Sequence, residues 1–151
     1  ALDPRYRNDC YMMQTSIMFE HGMNPTQIAQ ECRKAEPFRL VCMQSLGRDI
    51  SSSSRTNLHY GLSVCVGLPQ DEKQACMRGI IYAFMDLTWD GQFAFPFCDL
   101  FAAQEDKNYC YQYSVAYLEQ GLGESRADIR ASCEKHSENK DVCTQFIPPG
   151  S

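Results

Sequence analysis

Nine cysteines at positions 10, 32, 42, 65, 76, 98, 110, 133 and 143 are separated by steps of 22, 10, 23, 11, 22, 12, 23 and 10 residues. Long and short steps alternate throughout. Taking every second cysteine gives steps of 32, 34, 34 and 33 from Cys10 and of 33, 33 and 35 from Cys32, a period that belongs to two-helix repeats. No CxxC or CxxCH occurs, so the ligand spacing of zinc ribbons, thioredoxin-like redox sites and covalent c-type haem is missing. Disulfides made in an oxidising compartment account for the count, which points to a secreted or periplasmic chain.

A length of 151 residues allows one domain or one short array, here residues 1–151 as a single helical-repeat domain. Fourteen Lys and Arg against nineteen Asp and Glu leave a net charge of -5, with no basic run to drive counterion release, so nucleic acid is a poor partner. A mean hydropathy of -0.42 and the absence of a long uncharged apolar run argue against a membrane span. No basic segment followed by an apolar stretch stands at the N-terminus, as expected of a processed chain.

Local signals place the cysteines on helices. Asn24-Pro25 ahead of TQIAQECRKA reads as an N-cap with a first-turn proline, and Pro37 stops that helix before Cys42. Cys32 therefore falls late in a first helix, A, and Cys42 early in a second, B. NLHYGLSVC and DEKQACMRGIIYAFMDL repeat the arrangement, as do GQFAFPFCDLF with NYCYQYSVAYLEQ, and RADIRASCEKH, capped by Ser125, with DVCTQFI. Ser51 to Ser54 read as the longest polar loop. The expected fold is all-α: a lone first helix at about 6–22, then hairpins at about 24–51, 56–88, 90–121 and 124–147, forming a right-handed α-solenoid with a repeat of about 33–35 residues.

A two-helix unit of this length, with one cysteine on each helix near the shared turn, resembles the cysteine-rich, Sel1-like branch of the tetratricopeptide-type solenoids. The likeness covers Cys10 to Cys143 and concerns architecture; the family's alanine and glycine pattern is absent, and its paired cysteines sit closer together. It implies an extracytoplasmic module or adaptor that presents a concave surface to a protein or peptide. The twin Cx9C hairpin is the rival likeness, but it needs each pair on one continuous helix. Pro37 and Gly67-Leu68-Pro69 interrupt the first two.

Two pairings suit antiparallel neighbours. One joins Cys32–Cys42, Cys65–Cys76, Cys98–Cys110 and Cys133–Cys143 and leaves Cys10 free; the other joins Cys10–Cys32, Cys42–Cys65, Cys76–Cys98 and Cys110–Cys133. The first closes a short turn within each repeat, where local chain alone sets the geometry.

Catalysis finds little support. Only His21, His59 and His136 are present, none in a nucleophile motif, and GxSxG, SxxK and HExxH are all missing. His136, in a charged helix end, reads as solvated, and the acidic residues cluster in turns such as Glu105-Asp106. A small hydrolase is thus the third reading, and no cofactor is expected. The second is a copper or other soft-metal protein using the Cys10–Met23 helix, where Cys10, Met13, Met18 and His21 offer sulfur and imidazole ligands. The first is a binding module. Eleven of the aromatic residues lie between positions 82 and 117, and Trp89, Phe93, Phe95, Tyr113 and Tyr117 are the expected partner anchors, with Asp86 and Asp90 meeting basic groups. Pro96 is expected to distort any helix there and turn Phe93, Phe95 and Phe97 in different directions.

Overall fold

The computed structural model describes residues 6–149, so residues 1–5 and 150–151 of the expected domain lie outside it. Among the described residues every regular element is helical: α1 (Arg7–Glu20), α2 (Pro25–Arg33), α3 (Arg39–Thr56), α4 (Leu58–Val66), α5 (Gln70–Thr88), α6 (Ala94–Asp99), α7 (Gln104–Ala116) with a π-helical extension (Tyr117–Gly121), α8 (Arg126–His136) and α9 (Lys140–Gln145). Local chemistry starts two of them clearly. Asn24 and Gln27 exchange side-chain and backbone bonds in a capping box, and the Ser125 hydroxyl accepts the Asp128 amide.

Two local expectations give way. Ser51 to Ser54 continue α3 to Thr56 rather than forming a loop, because the Ser54 hydroxyl donates back to the Ile50 carbonyl and the side chain is buried. Pro96 lies in the first turn of α6, where its missing N–H is not needed, so the helix is not broken.

Helices α1, α3, α5, α7 and α9 contact one another in chain order, α1, α3, α5 and α7 being the long ones, and α3, α5, α7 and α9 each pack on the helix preceding them. Disulfides Cys32–Cys42, Cys65–Cys76, Cys98–Cys110 and Cys133–Cys143 clamp these four pairs, with Cα separations of 5.3–5.7 Å, and all eight half-cystines are buried. Cys10 is free and exposed. Each bridge closes a short loop, which restricts the unfolded chain and contributes about 2–3 kcal/mol in the chain-entropy picture.

Counting from its own cysteine puts the long helices in a common register. The residue five after the cysteine on one helix faces the residue three after it on the next. Thr15 thus lies 2.5 Å from Ser45, hydroxyl to hydroxyl, and it donates to Asp49 at 2.6 Å. Gly47 and Gly79 occupy the same pair of positions between α3 and α5, and no side chain fits there: a Cβ on Gly47 would fall 1.9 Å from the Cys76 carbonyl oxygen, and one on Gly79 would fall 2.0 Å from that of Gln44. Between α5 and α7 the pair is Ile81 and Tyr113. Ion pairs follow the register too. Arg39 and Lys73, each three residues before a cysteine, reach the buried carboxylates of Glu72 and Asp106, each four before the next, at 2.8 and 2.7 Å. Arg33 also binds Glu72, at 2.8 Å.

Candidate functional site

Large side chains hold α5 and α7 apart. Arg78, Tyr82 and Asp86 recur every four residues along α5, and Tyr109, Tyr113 and Tyr117 do so along α7 and its π extension, so two stripes face each other and interdigitate. The Arg78 guanidinium donates to the Tyr109 hydroxyl at 2.9 Å and lies 5.5 Å from the centre of the Tyr113 ring. Tyr82 stacks on Tyr117 at 4.3 Å and tilts against Tyr113 at 6.4 Å; Tyr109 and Tyr113 are 4.7 Å apart. The Tyr117 hydroxyl donates to Asp86 at 2.7 Å. A cleft of about 480 Å³ opens over this ladder, lined by Tyr82, Tyr113 and Tyr117 together with the exposed amides of Gln112 and Gln120.

Three phenols of the ladder are held in their protonated form. Burial pushes the Tyr117 phenol up to about 12, reinforced by its bond to Asp86, and burial pushes Tyr109 up to about 12 against the pull of Arg78. Burial likewise raises Tyr82. Arg78 keeps its charge: burial works against it, but the facing tyrosines outweigh that. Phenols, two free amides and one stacked cation make a surface suited to ring contact and hydrogen bonding.

Of the expected anchors, Tyr113 and Tyr117 are in the cleft, and Trp89 stands 55% exposed where α5 ends. Trp89 has a left-handed φ of 61°, and its indole N–H donates to the Asp86 carbonyl at 3.2 Å. Phe95 is a correction. It is fully buried and stacks on Tyr111 at 5.9 Å, because the intact α6 turns it inward. Phe93 is half-buried against Phe84, with ring centres 5.8 Å apart, and lends the surface little. Asp90 does not face solvent alone either: it binds His136 Nε2 at 3.1 Å, and His136, read as solvated, is only 13% exposed. Burial works to raise the Asp90 carboxyl, but the Gln92 amide, the Thr88 hydroxyl and His136 together hold it below the usual range.

The soft-ligand set divides. Cys10, Met13, Met18 and His21 all border one groove on α1, yet Cys10 and His21 are eleven residues apart on a single helix, about 16 Å at 1.5 Å per residue, and cannot share an ion. Among the described residues no three His, Cys, Asp or Glu side chains gather to hold a metal. A larger groove of about 810 Å³ between α2 and α4 is lined by polar groups such as Asn24, Gln30 and Ser63, with Tyr60 its one aromatic. Arg33, also on its wall, is committed to Glu72.

Sequence reasoning missed Tyr82, Arg78, Glu72 and Asp106. The signal was the phase of Arg78–Tyr82–Asp86 against Tyr109–Tyr113–Tyr117, and the acid-then-base pairs at 72–73 and 106–107 ahead of Cys76 and Cys110. Among the described residues no helix is long and apolar enough to cross a membrane, and four disulfides fit an oxidising environment. No protein-family model, curated protein or solved structure matches the chain.

Proposed function

We propose that this chain is an extracytoplasmic helical-repeat module, a right-handed stack of disulfide-clamped hairpins, that recognises a protein or peptide through the cleft between α5 and α7. One observation carries the reading: the tyrosine ladder leaves a cleft of about 480 Å³ at a register position where α3 and α5 meet with no side chain between them. Tyrosine serves such a role well, offering a rigid ring for contact and a hydroxyl for hydrogen bonding at small conformational cost. Gln112 and Gln120 supply free donors and acceptors for a peptide backbone, and Trp89 extends the aromatic surface. The secreted or periplasmic setting rests on the four disulfides.

Selection of a random displayed peptide library on the oxidised protein tests this reading. The selected peptides should lose about thirtyfold in affinity for Tyr113→Ala and for Trp89→Ala, the loss typical of interface hot spots, while circular dichroism stays unchanged. Peptides that bind both variants as well as the parent protein would place recognition elsewhere.

A further inference from the structure

Three features of the cleft between α5 and α7 restrict what it can hold. No charged side chain lines it, and the one hydroxyl at its Tyr117 edge is already committed to Asp86. On the α7 side, the exposed Gln112 and Gln120 border the same cleft with the small Ala116 between them, so two amides stand about two helical turns, or roughly 11 Å, apart with nothing large in the way. Beside them the Tyr117 ring, stacked on Tyr82 at 4.3 Å, stays clear because Gly121 has no side chain: a Cβ there would fall 2.6 Å from the ring.

We propose, resting on the reading of this cleft as the recognition site, that it seats an uncharged, proline-rich segment of a partner protein in the polyproline II conformation. A helical occupant keeps its backbone carbonyls bonded to itself and leaves both amides unmet. A strand brings N–H groups against the tyrosine faces, where the lining holds no carboxylate to accept them and an unpaired N–H is costly. Proline has no N–H, so its ring packs on a phenol face without that cost. Polyproline II makes no internal hydrogen bonds, so its carbonyls are left for the Gln112 and Gln120 amides. It advances about 3.1 Å per residue, and carbonyls three or four residues apart span about 9–12 Å, which matches the separation of the two amides. Aromatic-lined grooves favour such segments further because the conformation is formed before binding.

Peptides selected from the displayed library on the oxidised protein test this. Those that lose affinity for Tyr113→Ala should carry two prolines three residues apart, the repeat that returns polyproline II to the same face. In synthetic versions, replacing either proline by alanine restores an N–H against a ring and should weaken binding about tenfold, whereas N-methylalanine, which also lacks the N–H, should keep affinity within about twofold. Gln112→Ala and Gln120→Ala, both at exposed positions, should each cost about fivefold through one lost hydrogen bond. Gly121→Ala should cost about tenfold with circular dichroism unchanged, because its methyl group would displace or cover the Tyr117 ring. Peptides that need Tyr113 yet carry no proline, or that tolerate alanine at both prolines, would overturn the proposal and leave the cleft as a recognition site; so would equal losses with N-methylalanine and alanine. Peptides indifferent to Tyr113→Ala would overturn both.

Discussion

Two seams between long helices begin from the same register and end differently. Between α3 and α5, Gly47 and Gly79 let the two backbones touch, and nothing is left to bind anything else. Between α5 and α7, Ile81 and Tyr113 take those positions, tyrosines fill the gap, and a cleft remains. The difference teaches that side-chain size at one repeated position decides whether a seam closes or leaves a cleft. The repeat supplies the frame, and two residues choose between the outcomes.

The comparison breaks most readily at the glycines. Gly79→Ala and Gly47→Ala each force a methyl group into a backbone carbonyl, and each should cost about 3 kcal/mol in chemical denaturation, since backbone cannot yield as a side-chain end does. Tyr113→Ala at the matching position of the other seam should cost only about 1 kcal/mol, because its ring is half-exposed. Equal losses at the two seams would refute the distinction.

The ion pairs sharpen it. Glu72 is nearly buried and accepts from two guanidiniums, Arg33 and Arg39, so Glu72→Gln should cost about 2 kcal/mol after allowance for the partial exposure of both arginines. Asp106 holds Lys73, with Gln70 at 3.3 Å, and Asp106→Asn should cost about half as much. Thermal melts of the two variants at low and high salt would compare the rungs. Tyr117→Phe removes one bond, to Asp86, and should cost about 1 kcal/mol without closing the cleft.

A pH effect is carried by the buried phenols of the ladder. Tyr109 and Tyr117 have phenols raised to about 12 in the folded chain, against about 10 when unfolded. Folding therefore favours their protonated forms: that contribution is complete below about pH 10 and is lost as pH rises toward 12. Phenolate absorbance should show these two tyrosines titrating above the usual range of a free phenol, and Tyr117→Phe should flatten the alkaline decline in stability.

Much of the frame was legible because cysteine spacing is a covalent constraint that local sequence cannot override. Ser51 to Ser54 misled because serine, common in loops, also satisfies its hydroxyl within a helix, as Ser54 does on Ile50. Aromatic density alone picked out Trp89, which is exposed, and Tyr113 and Tyr117, which line the cleft. Phe95 was not separable from them, since its burial depends on α6 tolerating Pro96 in its first turn. Tyr82 and Arg78 needed the phase of one helix compared with another, and Cys10 could not be told from a ligand until its distance from His21 along α1 was fixed.

Amide hydrogen exchange, with and without a peptide selected from the displayed library, tests the central claim most directly. The account predicts new protection along α5 near Arg78–Asp86 and along Tyr109–Gly121, with the tight seam at Gly47 and Gly79 already protected and unchanged. Protection confined to α2 and α4, around the groove lined by Asn24, Gln30 and Tyr60, would contradict it.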